Sequence, residues 1–341
     1  MSNKATVAVL SYELIKHPRA IKIVKTLLKN NYRVIIWYST KPFKKGPKIV
    51  RALMNYLYSI VEALFLKANM YWIENIPDIV YILYPILRRN YVYDRRSPWS
   101  KEVILEYGFK IFGKIAEIIE RFLIKHAKCI AVASTPLKFE FNYEKPVYVV
   151  PNYPEKSFSL SGKQRNNVGK GKILLYVGKL SIVEGTDILL KVARKLCNSE
   201  TQLWIVGDGP LKHMVKTIAE KCPNVKWFGW LSRDKVKELI SLADYCLVPR
   251  HKTRYSIFYN HEGVQKIGEY LALKKPVIAC GIAKSPYYYL VSEDSYVETI
   301  LKITKEEISI TSKPLEAYWE DCSEKEVLKA VAYTLKAKEE K

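Results

Sequence analysis

Four short runs in the second half of the chain have residue types suited to a phosphorylated ligand. In Tyr176-Val177-Gly178-Lys179 an apolar run stops at a glycine and a cation follows. Glycine admits close approach of a ligand, and Lys179 offers a compact positive charge to a diphosphate. Val206-Gly207-Asp208-Gly209-Pro210 is a second strand-to-helix turn with exposed amides. It suits a nucleotide, and it equally suits a turn closed for packing. Its glycine spacing is not GxGxxG and no GK[ST] follows, so it is neither a dinucleotide fingerprint nor a P-loop. The loop Pro249 to Glu262 carries Arg250, Lys252, Arg254, Tyr255, Tyr259 and Asn260, and runs into a helix start at Gly263 to Leu271. Amides at a helix N-terminus favour phosphate oxygens. Within that helix Glu269 stands among apolar residues. A carboxylate there needs a partner: the adjacent hydroxyls of a ribose, or Lys266 three residues earlier. Lys275-Pro276-Val277-Ile278-Ala279, a strand after a tight turn, chiefly fixes the architecture.

These runs need a scaffold. Buried-strand patterns occur at Ile173 to Val177, Gln202 to Val206, Val225 to Phe228, Tyr245 to Val248 and Pro276 to Ala279. Helical patterns between them cover Thr186 to Leu196, Leu211 to Lys221, Asp234 to Leu242 and Ile267 to Leu273. The first half repeats the alternation. Strands are expected at Thr6 to Leu10, Arg33 to Tyr38, Asp78 to Ile82, Tyr91 to Tyr93, Lys128 to Ala133 and Val147 to Val150, with a helix at Pro18 to Lys29. Strand and helix alternating in this way make parallel sheets covered by helices. Ligands then bind at the carboxyl ends of the strands. Residues 1–152 form the first domain, 153–170 a polar linker and 171–320 the second domain, while 321–341 hold a helix that packs back on the first.

The chain has 341 residues, enough for two cores, and a formal net charge of +22. Such an excess attracts nucleic acid, anionic lipid or phosphorylated substrates. No helix-turn-helix, zinc or RNP-like pattern supports nucleic acid. Lys41, Lys44, Lys45 and Lys48 form a basic loop, either solvated surface or a contact for an anionic membrane surface. Leu53 to Ala68 and Tyr107 to Lys128 are amphipathic helices. In the second, Phe109, Phe112, Ile115, Ile119, Phe122 and Leu123 share a broad face. Each helix either faces the core or lies on a membrane. No run is long and apolar enough to span a bilayer, and no signal peptide is evident. Cys129, Cys197, Cys222, Cys246, Cys280 and Cys322 show no CxxC spacing. They read as free thiols in a reducing cytosol. The protein is expected in the cytoplasm, peripherally on the cytoplasmic membrane face. The Lys- and Tyr-rich composition suggests a microbial, archaeal source.

The run Lys266-Ile267-Gly268-Glu269-Tyr270-Leu271-Ala272-Leu273-Lys274-Lys275-Pro276-Val277-Ile278-Ala279 resembles the signature of family 4 glycosyltransferases. The Gly178-Lys179 loop, Gly207-Asp208-Gly209-Pro210 and Pro151-Asn152 resemble further elements of that family, in its order, over residues 145–295. The resemblance implies a GT-B fold: α/β, two tandem Rossmann-like open parallel-sheet domains facing a deep cleft. It implies a retaining enzyme that uses a UDP- or GDP-sugar as donor and holds no permanent cofactor and no metal. A glycan or lipid-linked acceptor would bind the first domain. By resemblance Glu269 holds the donor ribose and Lys179 neutralises the diphosphate, with Gly178, Gly207, Asp208 and Gly209 beside the nucleotide. Two departures stand out. The family's first glutamate falls at His261, with Glu262 next to it; either the loop is shifted by one residue or His261 takes the place. The second cation of the phosphate loop falls at Glu184, so Arg250, Arg254 or Lys266 would supply the charge. In the first half, His17-Pro18-Arg19 precedes the first helix, and Asp94 and Arg95 follow a strand at the position that faces the reacting sugar. Competing readings are a non-catalytic GT-B scaffold, a phosphorylase or epimerase of the same fold, and a basic nucleic-acid-binding protein.

Overall fold

Short runs of β-branched and aromatic residues, apolar on both faces, set the plan of the molecule. The computed structural model describes residues 5–13, 18–108, 110–159 and 171–339. They divide into two compact units, Met1–Asn152 with Trp319–Lys341, and Tyr153–Tyr318.

The first unit runs β1 (Thr6–Leu10), α1 (Pro18–Lys29), β2 (Arg33–Trp37), α2 (Lys48–Leu64), β3 (Met70–Glu74), β4 (Tyr91–Arg95), α3 (Trp99–Tyr107), α4 (Lys110–His126), β5 (Cys129–Val132), α5 (Thr135–Lys138) and β6 (Val147–Val149). Its sheet is parallel throughout, in the order β2-β1-β3-β4-β5-β6. The two-residue period of a strand divides β1 between two cores. Val7 and Val9 join α1, while Ala8 and Leu10 join Ala63 of α2 and Leu123 of α4.

The second unit runs α6 (Lys156–Ser159), β7 (Ile173–Val177), α7 (Thr186–Leu196), β8 (Gln202–Val206), α8 (Lys212–Lys221), β9 (Val225–Trp227), α9 (Arg233–Leu242), β10 (Tyr245–Pro249), α10 (Gln265–Ala272), β11 (Val277–Cys280), β12 (Tyr289–Leu290) and α11 (Tyr296–Thr304). Its parallel sheet has the order β12-β11-β10-β7-β8-β9. Leu174, Tyr176, Leu203, Ile205 and Leu247 pack under α7 and α11. Beyond α11 a π-helical turn, Trp319–Ser323, leads into α12 (Glu324–Glu339), which belongs to the first unit. There Val327, Ala330 and Val331 join the core of α1.

Several expectations need correction. Asp78–Tyr81 is a 3-10 turn and not a strand, and the strand in that region is Met70–Glu74. A short apolar run does not reveal its period, so residue type alone could not separate the two. The single helix expected over Tyr107 to Lys128 is broken, because α3 ends in a left-handed cap at Gly108 (φ 75°) and α4 restarts at Lys110. Phe109 lies outside the described residues. The cysteines are not all free: Cys197 and Cys222 form a disulfide. They sit at the ends of the neighbouring helices α7 and α8, which the fold brings together across 25 residues of chain.

Candidate functional site

In an open parallel sheet the strand order reverses at one point, and the loops on either side of it diverge to leave a crevice. In the second unit that point lies between β7 and β10. The loop after β7 carries Gly178, Lys179 and Glu184, and the loop after β10 begins with Arg250. Hydrogen bonds hold the β7 and β8 turns together. The Gly178 amide donates to the Val206 carbonyl (3.0 Å) and the Leu180 amide to the Asp208 carbonyl (3.0 Å). Gly207 is buried in that contact and its amide donates to the Gly229 carbonyl (2.8 Å). The Asp208 side chain is exposed and accepts from the Gly209 amide (2.6 Å).

Gly185 brings the acid of this loop against the base of the next. Its φ is +69°, and a Cβ there would stand 1.7 Å from the Pro249 carbonyl oxygen. No other residue allows that approach. As a result Glu184 is gripped from two sides. Its Oε1 lies 2.9 Å from Arg250 Nη1 and its Oε2 lies 2.7 Å from Lys266 Nζ, which reaches over from α10. Burial alone would raise the Glu184 carboxyl, but the Arg250 and Lys266 charges, with a smaller contribution from Lys179, hold it at about 2. Arg250 lies over the Tyr259 ring (4.0 Å) and Lys266 over the Tyr176 ring (4.4 Å). Lys179 is exposed on the same loop. Three cations thus surround one carboxylate, and the acid at position 184 orders two of them. Arg254 contacts the neighbouring Tyr255 and takes no part in this grip.

Glu269 does not pair with Lys266. Its Oε1 accepts from Gln265 Nε2 (2.7 Å) and lies 3.1 Å from Arg233 Nη2. Both contacts use the same oxygen. The helix that carries it is anchored at Tyr270, whose hydroxyl accepts the Val177 amide (2.9 Å). Ahead of α10 the Asn260 side-chain oxygen accepts from the amides of Glu262 (3.0 Å) and Gly263 (3.2 Å), which shapes the turn into the helix. The His261 ring stacks with Tyr153 (6.2 Å between centroids) and Tyr287 (4.3 Å), and its Nδ1 is 3.2 Å from the Ser285 hydroxyl. Burial pushes its pKa down. Glu262 is half-buried beside it.

Sequence reasoning missed His251. Its Nε2 is 2.8 Å from Asp187 Oδ1 in the first turn of α7, and its Nδ1 is 2.7 Å from Glu293 Oε1 ahead of α11. Glu293 also accepts the Lys252 amide (2.8 Å). Burial opposes charge on this ring, but the carboxylate at each nitrogen outweighs it and raises the pKa. Asp187 and Glu293 lie far from His251 in sequence, and no local motif signals the clamp.

In the first unit the candidates Asp94 and Arg95 are buried and bonded within the protein. Asp94 is fully buried, and both its oxygens are committed: Oδ1 to Arg19 Nη2 (2.7 Å), Oδ2 to Arg19 Nε (2.8 Å) and Trp72 Nε1 (2.9 Å). Through Arg19 it anchors α1. Arg95 is equally buried and bound to Glu120 (2.6 Å) and Glu140 (2.5 Å). His17 lies outside the described residues, whereas Arg19 also donates to the Asn152 side chain (2.9 Å). Among the described residues no cluster of His, Cys, Asp and Glu is arranged to hold a metal ion.

Residues 160–294 match the family model for glycosyl transferases group 1. No curated relative matches by sequence. Among solved structures, the sucrose-phosphate synthase of Thermosynechococcus elongatus is 15% identical with a TM-score of 0.67, covering 98% of each chain. Anabaena HepE in complex with UDP-glucose is 13% identical with a TM-score of 0.58, again over 98% of each chain. A UDP-N-acetylglucosamine 2-epimerase is 12% identical with a TM-score of 0.59, covering 100% of this chain and 98% of its own. At these identities the likeness is one of fold. That fold is GT-B, two parallel-sheet units of Rossmann type. It hosts an epimerase as well, so the fold alone does not choose the reaction. The match over 160–294 does, and it makes the chain a glycosyltransferase by class.

Proposed function

We propose that this chain is a retaining, family 4-type glycosyltransferase that moves a sugar from a UDP- or GDP-sugar to an acceptor hydroxyl on a lipid-linked or cell-surface glycan. The observation that carries this reading is the grip of Arg250 and Lys266 on Glu184 beside the exposed Lys179, at the strand-order reversal of the second unit. Three cations against one carboxylate leave a net positive field where a diphosphate would lie. Glu269 supplies the complementary group. With Oε1 held by Gln265 and Arg233, Oε2 remains to accept from ribose hydroxyls. Gly207 and Gly209 close the β8 turn on the backbone of Gly178 and Leu180, and so set the edge at which Gly178 and the exposed Asp208 would meet the nucleotide. The UDP-glucose complex of HepE, a protein of the same fold, favours UDP over GDP.

In transfer, the bond from the anomeric carbon to the β-phosphate oxygen breaks and a bond to the acceptor oxygen forms on the same face of the sugar. The departing diphosphate gains negative charge, which Lys179, Arg250 and Lys266 stabilise. The acceptor proton passes to a diphosphate oxygen. No side-chain base and no divalent ion enters this scheme. Glu262 and His261 would stand at the sugar side of the site. The second unit, Tyr153–Tyr318, would hold the donor, and the first unit, Met1–Asn152 with Trp319–Lys341, the acceptor.

The test is calorimetric titration with UDP-, GDP- and ADP-sugars, alongside Glu269→Ala. Selective binding of one sugar nucleotide is expected, weakened about tenfold or more in the variant by loss of a charged hydrogen bond. Equal affinity in the two proteins would remove Glu269 from the site. Absence of binding to every donor, with and without acceptor, would leave a GT-B scaffold without transfer activity.

A further inference from the structure

The first unit carries an apolar surface that its own core does not use. On α2, Ile49, Leu53, Leu57 and Val61 are exposed, and Phe65 at the end of the helix is 79% exposed. Their spacing of four residues places successive side chains next to one another along the helix. The opposite stripe of α2, through Tyr56 and Ala63, faces the sheet. In the same layer α4 buries Leu123 and packs Ile119 on the core, yet turns Ile111, Phe112, Ile115 and Ile118 outward, the last 67% exposed. Both helices pack against the turn Asp78–Tyr81, and Ile86 and Leu87, just beyond it, are exposed too. A run of this size on one layer is more than scattered surface hydrophobes, which need no explanation.

Cations frame this surface. The loop before α2 exposes Lys44 and Lys45. It is fastened along the helix by Asn55, which bonds both the amide and the carbonyl of Phe43 (3.0 Å each), and by Arg51, which donates to the Lys44 carbonyl (3.0 Å). Lys67 stands exposed beyond the end of α2, Arg88 beside Leu87, and Lys110 and Lys114 at the start of α4. Between Lys41 and Ala68 the only carboxylate is Glu62. Apolar side chains inside a basic frame match a bilayer with anionic headgroups: the hydrophobes enter the acyl boundary and the lysines stay at headgroup level. A second copy of the chain, seated on the same face by a two-fold axis, would instead set these cations against themselves.

We propose that the α2–α4 face of the first unit docks peripherally on an anionic lipid bilayer. This does not depend on the donor chemistry. The experiment is flotation of the full chain with vesicles of phosphatidylcholine, or of phosphatidylcholine and phosphatidylglycerol in equal parts, at low and high salt. Flotation is expected only with the anionic vesicles, and it should fall as salt rises. Leu57→Glu combined with Ile115→Glu should reduce partitioning by at least about tenfold. Lys44→Glu with Lys45→Glu should reduce it by about fivefold per cation removed. All four positions are exposed, so melting temperature and far-ultraviolet circular dichroism should match the parent. Wild-type flotation by both double variants would overturn the proposal, as would equal flotation with neutral vesicles or none with anionic ones. A dimer in sedimentation that Leu57→Glu dissociates, without lipid binding, would show that the face covers a second copy.

Discussion

At position 184 a carboxylate stands among cations that a diphosphate would use, and its effect depends on which of them it holds. Glu184 takes Arg250 and Lys266, both nearly buried, and leaves Lys179 at the surface. The three bases therefore have separable tasks. Lys179, exposed on the loop, should act mainly on the ligand: Lys179→Ala is expected to lower kcat by about a hundredfold or more. Lys266→Met should lower kcat as well, but it also strips one partner from Glu184. That costs about 1–3 kcal/mol of stability, read as a lower denaturant midpoint at unchanged slope. Wild-type turnover in Lys179→Ala would remove it from the diphosphate site. An unchanged midpoint in Lys266→Met would mean that Arg250 alone satisfies the acid. The departure at Glu184 was visible in the sequence, and so were Arg250 and Lys266 as replacements. The pairing was not visible, because 82 residues separate Glu184 from Lys266 and only the fold closes that distance.

Among the elements, legibility followed length and punctuation. The strands β7, β8 and β10 could be read because each is an apolar run halted by Gly, Pro or a charge, and α7 because its period holds over three turns. Met70–Glu74 was missed, since only five residues, with Lys67 and Asn69 as the polar ones, separate it from the apolar α2, and neither a glycine nor a proline marks the boundary. His251 was missed for another reason. It joins three elements, the end of β10, the first turn of α7 and the start of α11, through Asp187 and Glu293. This clamp should make stability depend on pH. The raised folded pKa means that its contribution is fully present below the unfolded value of about 6.5 and is lost as pH rises through the folded value. His251→Gln should therefore cost most at mildly acid pH and little at alkaline pH. Melting curves across that range would show it. A constant deficit at every pH would mean that the ring acts by packing and not by charge.

Over the whole molecule, the chain builds its first unit from both of its ends. The helix α12 could be read as a helix from Val327, Leu328, Val331 and Leu335, but spacing does not say which core a terminal helix joins. The structure seats Val327, Ala330 and Val331 against Val7, Val9, Ile23 and Leu27. Trp319 Nε1 donates to Thr26 Oγ1 (2.9 Å) and the Ser323 hydroxyl to the Pro151 carbonyl (2.7 Å), so the approach to the helix is fixed by polar contacts too. The first unit cannot be complete until α12 is made, whereas the second lies on an unbroken segment, Tyr153–Tyr318. A carboxylate at the fully buried Val331 should separate the two. An unpaired charge there costs several kcal/mol, comparable to the stability of a whole domain. Val331→Asp is expected to unfold the first unit and abolish transfer, while the second unit still melts cooperatively and still binds the sugar nucleotide. Lys336→Asp, at an exposed position of the same helix, controls for charge and should behave as the parent. Differential scanning calorimetry would resolve the case. Loss of a low-temperature transition with retention of a second supports two separately stable units, and a single transition shifted as a whole shows that they fold as one.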